Sequence, residues 1–520
     1  MNRWFFILLV GAVLLQALQL DGEWDRMDGD DAQYIMHARS LLLHHRYNDL
    51  NLLYTPTPFF GSKSAPPGWP ILLMPVLALF GVNLVALKLL VLLLVLGSAG
   101  CMYRLIRVRA QDEWMAFYTT SIFLFSMTTV VFARVVYSEW PYLLCSCGVL
   151  WLVLADGGRK KTWLKWVAVG AILGFSVLFR SIGLALILAA IAVILQDTWM
   201  KRIGSRRALL FAFLMIATTI VMYRAVTWTV HPEKGPGYEE QFLSKDIDFQ
   251  EEGRAGFRDI IGRIPQNGGF FVKSLPPLVF GRTWHEYVLR IHPPWKSVVE
   301  TMLCACGILL VVLMLLGFAH EVRRGVSAIE YYVFFYLAIM SMIWFNYEVY
   351  RYLMLIHPFL IFYALVGLRF LLGTRDKGGL ILRVVWMVIL AINVIHAGAE
   401  VYKYKFSQEN ARTKFRPYHE TVSWLKRNAK PDEMLVADDP RWYALETRLP
   451  VTMFPITRQP EAVCRHLNRF HAPWVLYDHK RRFSKICLLP VLEQYPRRFR
   501  KVMEIEHMQI YRFVNDTTMR

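Results

Sequence analysis

Residues 1–399 alternate long uninterrupted apolar runs with short polar stretches, as in Leu84 to Gly100 and Ile182 to Leu195. A bilayer core about 30 Å thick needs about 20 apolar residues per helix. The pattern therefore predicts eleven spans, at about 4–20, 84–103, 114–133, 138–155, 164–179, 182–197, 208–228, 298–318, 331–346, 353–371 and 384–399. No small-x-small cleavage site precedes Asp21 and further spans follow, so the first run is read as an uncleaved helix.

From residue 400 the pattern shortens and becomes polar. A helical period runs from Tyr418 to Arg427, β-type runs fall at Met434 to Ala437, Trp474 to Tyr477 and Met508 to Phe513, and a helix starts near Pro460. The expected fold class is thus an all-α polytopic membrane protein over 1–399 with a soluble α/β domain at 400–520. Segments 21–83 and 229–297 are long loops on one side of the membrane. Within the second, Phe257, Ile260, Ile261 and Ile264 lie at helical spacing beside Arg254, Arg258 and Arg263, which predicts an interfacial helix from Glu251 to Ile264.

Charge adds an orientation. Of 520 residues, 59 are Lys or Arg and 40 Asp or Glu, a net +19, yet only 19% are charged and 55% are hydrophobic. A disordered chain or a nucleic-acid-binding arm does not have that balance. With the N-terminus cytoplasmic, every short inside loop is basic: Arg104, Arg107 and Arg109; Arg159, Lys160, Lys161 and Lys165; Lys201, Arg202, Arg206 and Arg207; Arg323 and Arg324; Arg375, Lys377 and Arg383. The loops 21–83 and 229–297 and the tail are then extracytoplasmic, as expected for a protein of the cell inner membrane. Five cysteines lie in apolar runs; Cys464 and Cys487 lie in the tail, where a disulfide is an open alternative. No zinc-type cysteine pair, P-loop, GxSxG or HExxH motif occurs.

Candidate chemistry gathers on the outer side. Asp30 and Asp31 adjoin at a helix start, in Gly29-Asp30-Asp31-Ala32-Gln33-Tyr34. Helix capping, with Asp30 as the cap and Gln33 at the reciprocal position, is the plainer explanation. Lys63 precedes Pro66-Pro67; Arg134 precedes Tyr137-Ser138-Glu139-Trp140-Pro141; Arg180 separates two apolar helices; and Arg351-Tyr352 leads into a late span. Each arginine alone is explained by snorkelling to lipid headgroups. All share a face with the aspartates, against the usual bias of arginine for the inner side, and such charges are functional candidates.

In this order the features resemble the polytopic glycosyltransferases of the GT-C fold that use lipid-phosphate sugars, the protein mannosyltransferase and aminoarabinose transferase group. Asp30, Asp31 and Tyr34 match its Asp-(Asp/Glu)-x-x-Tyr element. Pro66-Pro67, Ser138-Glu139-Trp140-Pro141, Arg180 and Arg351-Tyr352 match its later ones. The resemblance implies that Asp30 is the catalytic base. Lysine often precedes the proline pair in the family; here that place is Ala65 and the nearest lysine is Lys63.

Transfer of a sugar from a polyprenyl phosphate to an acceptor hydroxyl needs one base and several cations, because the leaving phosphate requires charge stabilisation more than protonation. Asp30 and Asp31 are the catalytic candidates. Arg180, Arg351, Lys63 and Arg134 are candidates for the donor phosphate, and Tyr34, Glu139, Tyr352 and His37 for sugar or acceptor. The acceptor is a lipid, glycan or protein. No metal site is expected; a divalent cation between Asp30 and Asp31 is the arrangement to test. The competing readings are a transporter or flippase of lipid-linked substrates and a non-catalytic receptor for envelope glycans.

Overall fold

The structure, a computed structural model, describes residues 3–24, 29–53, 65–154, 163–230, 238–246, 248–280, 293–343, 349–373, 377–407 and 411–514. Among these, five helices are long and apolar enough to cross a membrane: Leu84–Ala110, Ser181–Trp199, Ser205–Val230, Cys304–Arg324 and Gly379–Phe406. Six further apolar helices of 10–17 residues are Arg3–Ala17, Gly68–Phe80, Glu139–Leu154, Trp163–Phe179, Ala328–Met342 and His357–Leu372. Ten of the eleven expected spans fall on these helices, and Gly68–Phe80 was not counted among them. The run at 114–133 is not continuous. Ser126 is extended (φ −61°, ψ 138°), ends the helix Glu113–Phe125 and caps Met127–Phe132 by accepting the Thr129 N–H at 3.3 Å.

The expected interfacial helix is displaced. Residues Gln250–Glu252 form one 3₁₀ turn, Ser244 bridges to Arg254, and the helix runs from Phe257 to Phe280. Phe257, Ile261, Ile264 and Phe270 are exposed on it. Over its first half the buried residues are polar: Arg263 donates to the Met342 carbonyl (3.2 Å) and Asn267 to those of Ser341 and Ile343 (2.8 and 2.7 Å). Such an outward apolar face suits a lipid surface.

The chain divides into two compact units. The helical unit comprises Met1–Asp21, Val85–Val226 and Ile260–Ser407. Small residues let its helices approach closely, as membrane helices do. A Cβ on Gly317 would collide with the Tyr363 carbonyl oxygen, and one on Gly367 with that of Leu313, which fixes the crossing of Pro293–Arg324 on His357–Leu372.

The second unit comprises Gly22–Leu84, Thr227–Asp259 and Gln408–Arg520. It is built on a five-stranded sheet of β1 (Leu435–Val436), β2 (Val451–Thr452), β3 (Trp474–Asp478), β4 (Phe499–Ile505) and β5 (Met508–Phe513), in the order β2-β1-β3-β5-β4. β1 is parallel to β2 and β3; β5 is antiparallel to β3 and β4. The segment before Gly68 extends this sheet: Leu53 donates to the Val451 carbonyl (2.8 Å) and Val451 to that of Asn51 (2.9 Å). Val436, Val463, Leu467, Val475, Leu488 and Val491 fill one core. Cys464 and Cys487 belong to it as free thiols, so the disulfide alternative is not adopted.

Candidate functional site

The helix Asp30–His44 begins with the two aspartates, but neither caps it. Gly29 is the cap residue, at φ 81°, with no side-chain cap bond. Gln33 does not serve as the reciprocal partner; its amide donates to Asp49 at 3.2 Å. The first turn is thereby left for other contacts. The Asp30 carboxylate accepts a hydrogen bond from the Arg441 guanidinium, a residue of the same unit. Asp31 is buried and its Oδ1 accepts the Ala32 N–H at 2.8 Å.

Beneath this turn His37 is fully buried, hydrogen-bonded to Asp49 and packed on Tyr47 with 4.4 Å between ring centres. Tyr47 donates to the Ala65 carbonyl at 2.6 Å, tying the start of the Pro66-Pro67 element to the helix. Tyr34 is buried on the same helix. His37 therefore belongs to the support of the helix start and is not solvated.

In the helical unit, Glu139 opens the helix Glu139–Leu154 and is fully buried. Two guanidiniums converge on its Oε1. Arg180 donates from Nη1 at 2.6 Å, and also to the Ser138 hydroxyl at 3.3 Å; Arg351 donates from Nε. Glu139 Oε2 is buried without a hydrogen-bond partner among the described residues. Aromatic faces complete the group, with Arg351 4.0 Å from the Tyr137 ring centre and Arg180 5.3 Å from that of Tyr352. Tyr336 donates to the Tyr352 carbonyl at 2.7 Å. The trio carries one net positive charge, in surroundings where water screens little. Guanidiniums held in this way can present paired donors to an anion.

Arg134 has different partners. It donates to Gln19 (3.1 Å) and Glu400 (3.0 Å) and lies 4.2 Å from the Tyr404 ring centre. Tyr404 in turn donates to Asp21 (2.9 Å), which pairs with Lys88 (2.8 Å). In this network Lys88 and Glu400 carry no signal in the sequence, because each is the lone charge of an apolar run. Lys63 lies outside the described residues.

The donor set does not fit a metal at the aspartates. A cation on Asp30 would face the Arg441 guanidinium, and among the described residues no three His, Cys, Asp or Glu converge. At the carboxyl end of β1, Asp438 accepts the Ser484 N–H at 2.6 Å, and burial pushes its carboxyl up to about 6.

Residues 64–223 match the sequence family described as dolichyl-phosphate-mannose-protein mannosyltransferase. No curated protein sequence matches. Among solved structures, ArnT from Cupriavidus metallidurans bound to undecaprenyl phosphate aligns over 99% of this chain and 98% of its own, with TM-score 0.56 and 13% identity. The chain has the GT-C glycosyltransferase fold. The archaeal oligosaccharyltransferase AglB from Archaeoglobus fulgidus, in complex with an inhibitory peptide and a dolichol-phosphate, shares it over 92% of this chain and 69% of that one, with TM-score 0.55 and 12% identity. The matched stretch 64–223 takes in Glu139 and Arg180 of the buried trio, while Arg351 lies beyond it.

Proposed function

We propose that the protein is an inverting glycosyltransferase that moves a sugar from a polyprenyl-phosphate donor to an extracytoplasmic hydroxyl of a lipid, glycan or protein. The observation that carries this reading is the Glu139, Arg180 and Arg351 trio in a chain of the GT-C fold. Two guanidiniums meeting on one buried carboxylate form a pre-arranged cationic pair, which supports an anion-binding role. Two similar structures contain lipid phosphates, undecaprenyl phosphate in one and dolichol-phosphate in the other, which supports the same donor class here.

In this reading Asp30 takes the proton of the acceptor hydroxyl, the acceptor oxygen bonds to C1, and the C1–O bond breaks with its electron pair passing to the phosphate. Arg180 and Arg351 stabilise the charge that develops there, and Glu139 holds them in place until the donor arrives. Asp31 fixes the helix start that carries Asp30, with Tyr34 and Tyr352 as the sugar-facing candidates. One displacement inverts C1. The topology proposed with it has eleven crossings, a cytoplasmic N-terminus, the reacting groups on loops 21–83 and 229–297 and at the helix ends, and the 400–520 domain outside.

The test is transfer by purified protein in nanodiscs, with a panel of polyprenyl-phosphate sugars, comparing wild type with Asp30→Asn. Loss of a base costs about 10²–10⁴ in rate. Wild-type rates in the variant, or retention at C1 in the product, would remove Asp30 from the chemistry or replace the single displacement.

A further inference from the structure

We infer that Arg441, from the tail domain, is a positioning residue for Asp30, and that the strand-end cluster of that domain exists in part to hold it there. The inference rests on the reading of Asp30 as the base.

Asp30 and Arg441 lie 411 positions apart in sequence yet form a hydrogen-bonded ion pair inside one unit. The guanidinium is 11% exposed and is gripped from behind by Asp439, which accepts Nε on Oδ1 at 3.1 Å and Nη2 on Oδ2 at 3.2 Å. Such a two-point grip fixes the plane of a guanidinium. The remaining terminal nitrogen, Nη1, goes to Asp30 Oδ1 and lies 3.5 Å from Gln33 Oε1.

Local structure explains how this group is placed. β1 is flanked by β2 and β3, and its carboxyl end leads through Asp438 and Asp439 into the helix Pro440–Thr447, with proline starting the helix and Arg441 in its first turn. In α/β sheets this end of a strand is where ligands and chemistry are usually held. Here it is directed at another part of the chain. Asp439 is itself backed by Arg481 at 3.9 Å, which follows β3, and Arg481 reaches Asp478, which accepts the Tyr418 hydroxyl at 2.8 Å.

Gly29 completes the arrangement. Its positive φ is poorly accessible to L side chains, and a Cβ there would collide with the Arg441 guanidinium and the Asp439 carboxylate. The helix start is thus shaped to admit the arginine, which a surface tether would not require. Anchoring one carboxylate oxygen sets the direction of the other.

The experiment uses the full chain in nanodiscs with the polyprenyl-phosphate sugar that supports transfer, and four variants: Asp30→Asn, Arg441→Met, Arg441→Lys and Asp439→Asn. Arg441→Met is expected to lower kcat about 10–100-fold with donor KM within twofold, as for a misoriented catalytic group. Arg441→Lys is expected to recover most of that loss, and Asp439→Asn, which keeps the cation but releases its grip, to fall between. Equal losses in Arg441→Met and Arg441→Lys, or a change confined to KM, would overturn the inference. Should Arg441→Met fail to fold, Asp439→Asn with wild-type kcat would overturn it equally. An inactive Asp30→Asn beside a fully active Arg441→Met would sink the positioning role alone, and an active Asp30→Asn would sink the base assignment itself.

Discussion

Glu139→Gln separates a stabilising role for the trio from a catalytic one. The substitution keeps the shape of the side chain and removes the charge between two guanidiniums that are 12% and 6% exposed. Breaking a buried pair by neutralising one partner costs about 3–5 kcal/mol, because the remaining charge is left in a medium that solvates it poorly. At about 1.5 °C per kcal/mol for a unit of this size, the melting temperature of the helical unit should fall by about 5–8 °C. The transition can be followed with a thiol-reactive dye, since Cys147 is buried on the same helix as Glu139, in a background where the other six cysteines are replaced by alanine. If the arginines await a phosphate, polyprenyl phosphate restores the missing charge, and its stabilising shift should be several degrees larger in Glu139→Gln than in wild type. A variant with an unchanged melting temperature, or one that gains no more from the lipid phosphate than wild type does, refutes the charge argument.

Arg134→Gln and Glu400→Gln should each destabilise by about 3–5 kcal/mol and the double variant by less than their sum, with donor KM unchanged; a raised KM in Arg134→Gln would instead place it at the donor. Gly29→Ala forces a side chain into the left-handed region and against Arg441, so transfer should fall while Gly22→Ala, with open space around it, serves as the unaffected control. His466, buried and held down to about 4 by burial and by Arg469, is neutral in the fold, so its contribution to stability is lost as pH falls from about 6.5 towards 4. Asp438, held up at about 6, has the opposite sign, its contribution being lost as pH rises from about 4 towards 6. Hydrogen-exchange protection at Trp474–Asp478, corrected for the intrinsic rate, should therefore rise with pH over about 4–6 more steeply in Asp438→Asn than in wild type, and equal slopes would contradict the Asp438 assignment.

What the sequence makes legible follows from the range of the interaction. Apolar runs are local, and the positions of ten of the eleven expected spans could be read because twenty apolar residues in a row leave few alternatives. The break at Ser126 is not legible because it rests on one hydroxyl that donates to the Phe123 carbonyl of one helix and accepts the Thr129 N–H of the next, within an apolar run. The two-residue strand β1 is legible within the run Met434 to Ala437, whereas β2 carries too little pattern to be seen and is completed by Asn51 to Leu53, about 400 positions away. Helix capping misled for a related reason. A Gly-Asp-Asp start supports a side-chain cap equally well on local grounds, and only the distant Arg441 shows why glycine takes the cap and leaves the aspartate outward. The charged residues of an apolar chain are the extreme case, since each must find a partner and almost none finds it nearby: Arg134 pairs with Glu400, Lys88 with Asp21, Arg351 with Glu139. Sequence can therefore nominate such residues, because a charge beside a membrane span is costly. Which partner a nominated arginine meets is visible only in the fold: Arg180 and Arg351 converge on Glu139, while Arg134 reaches Glu400.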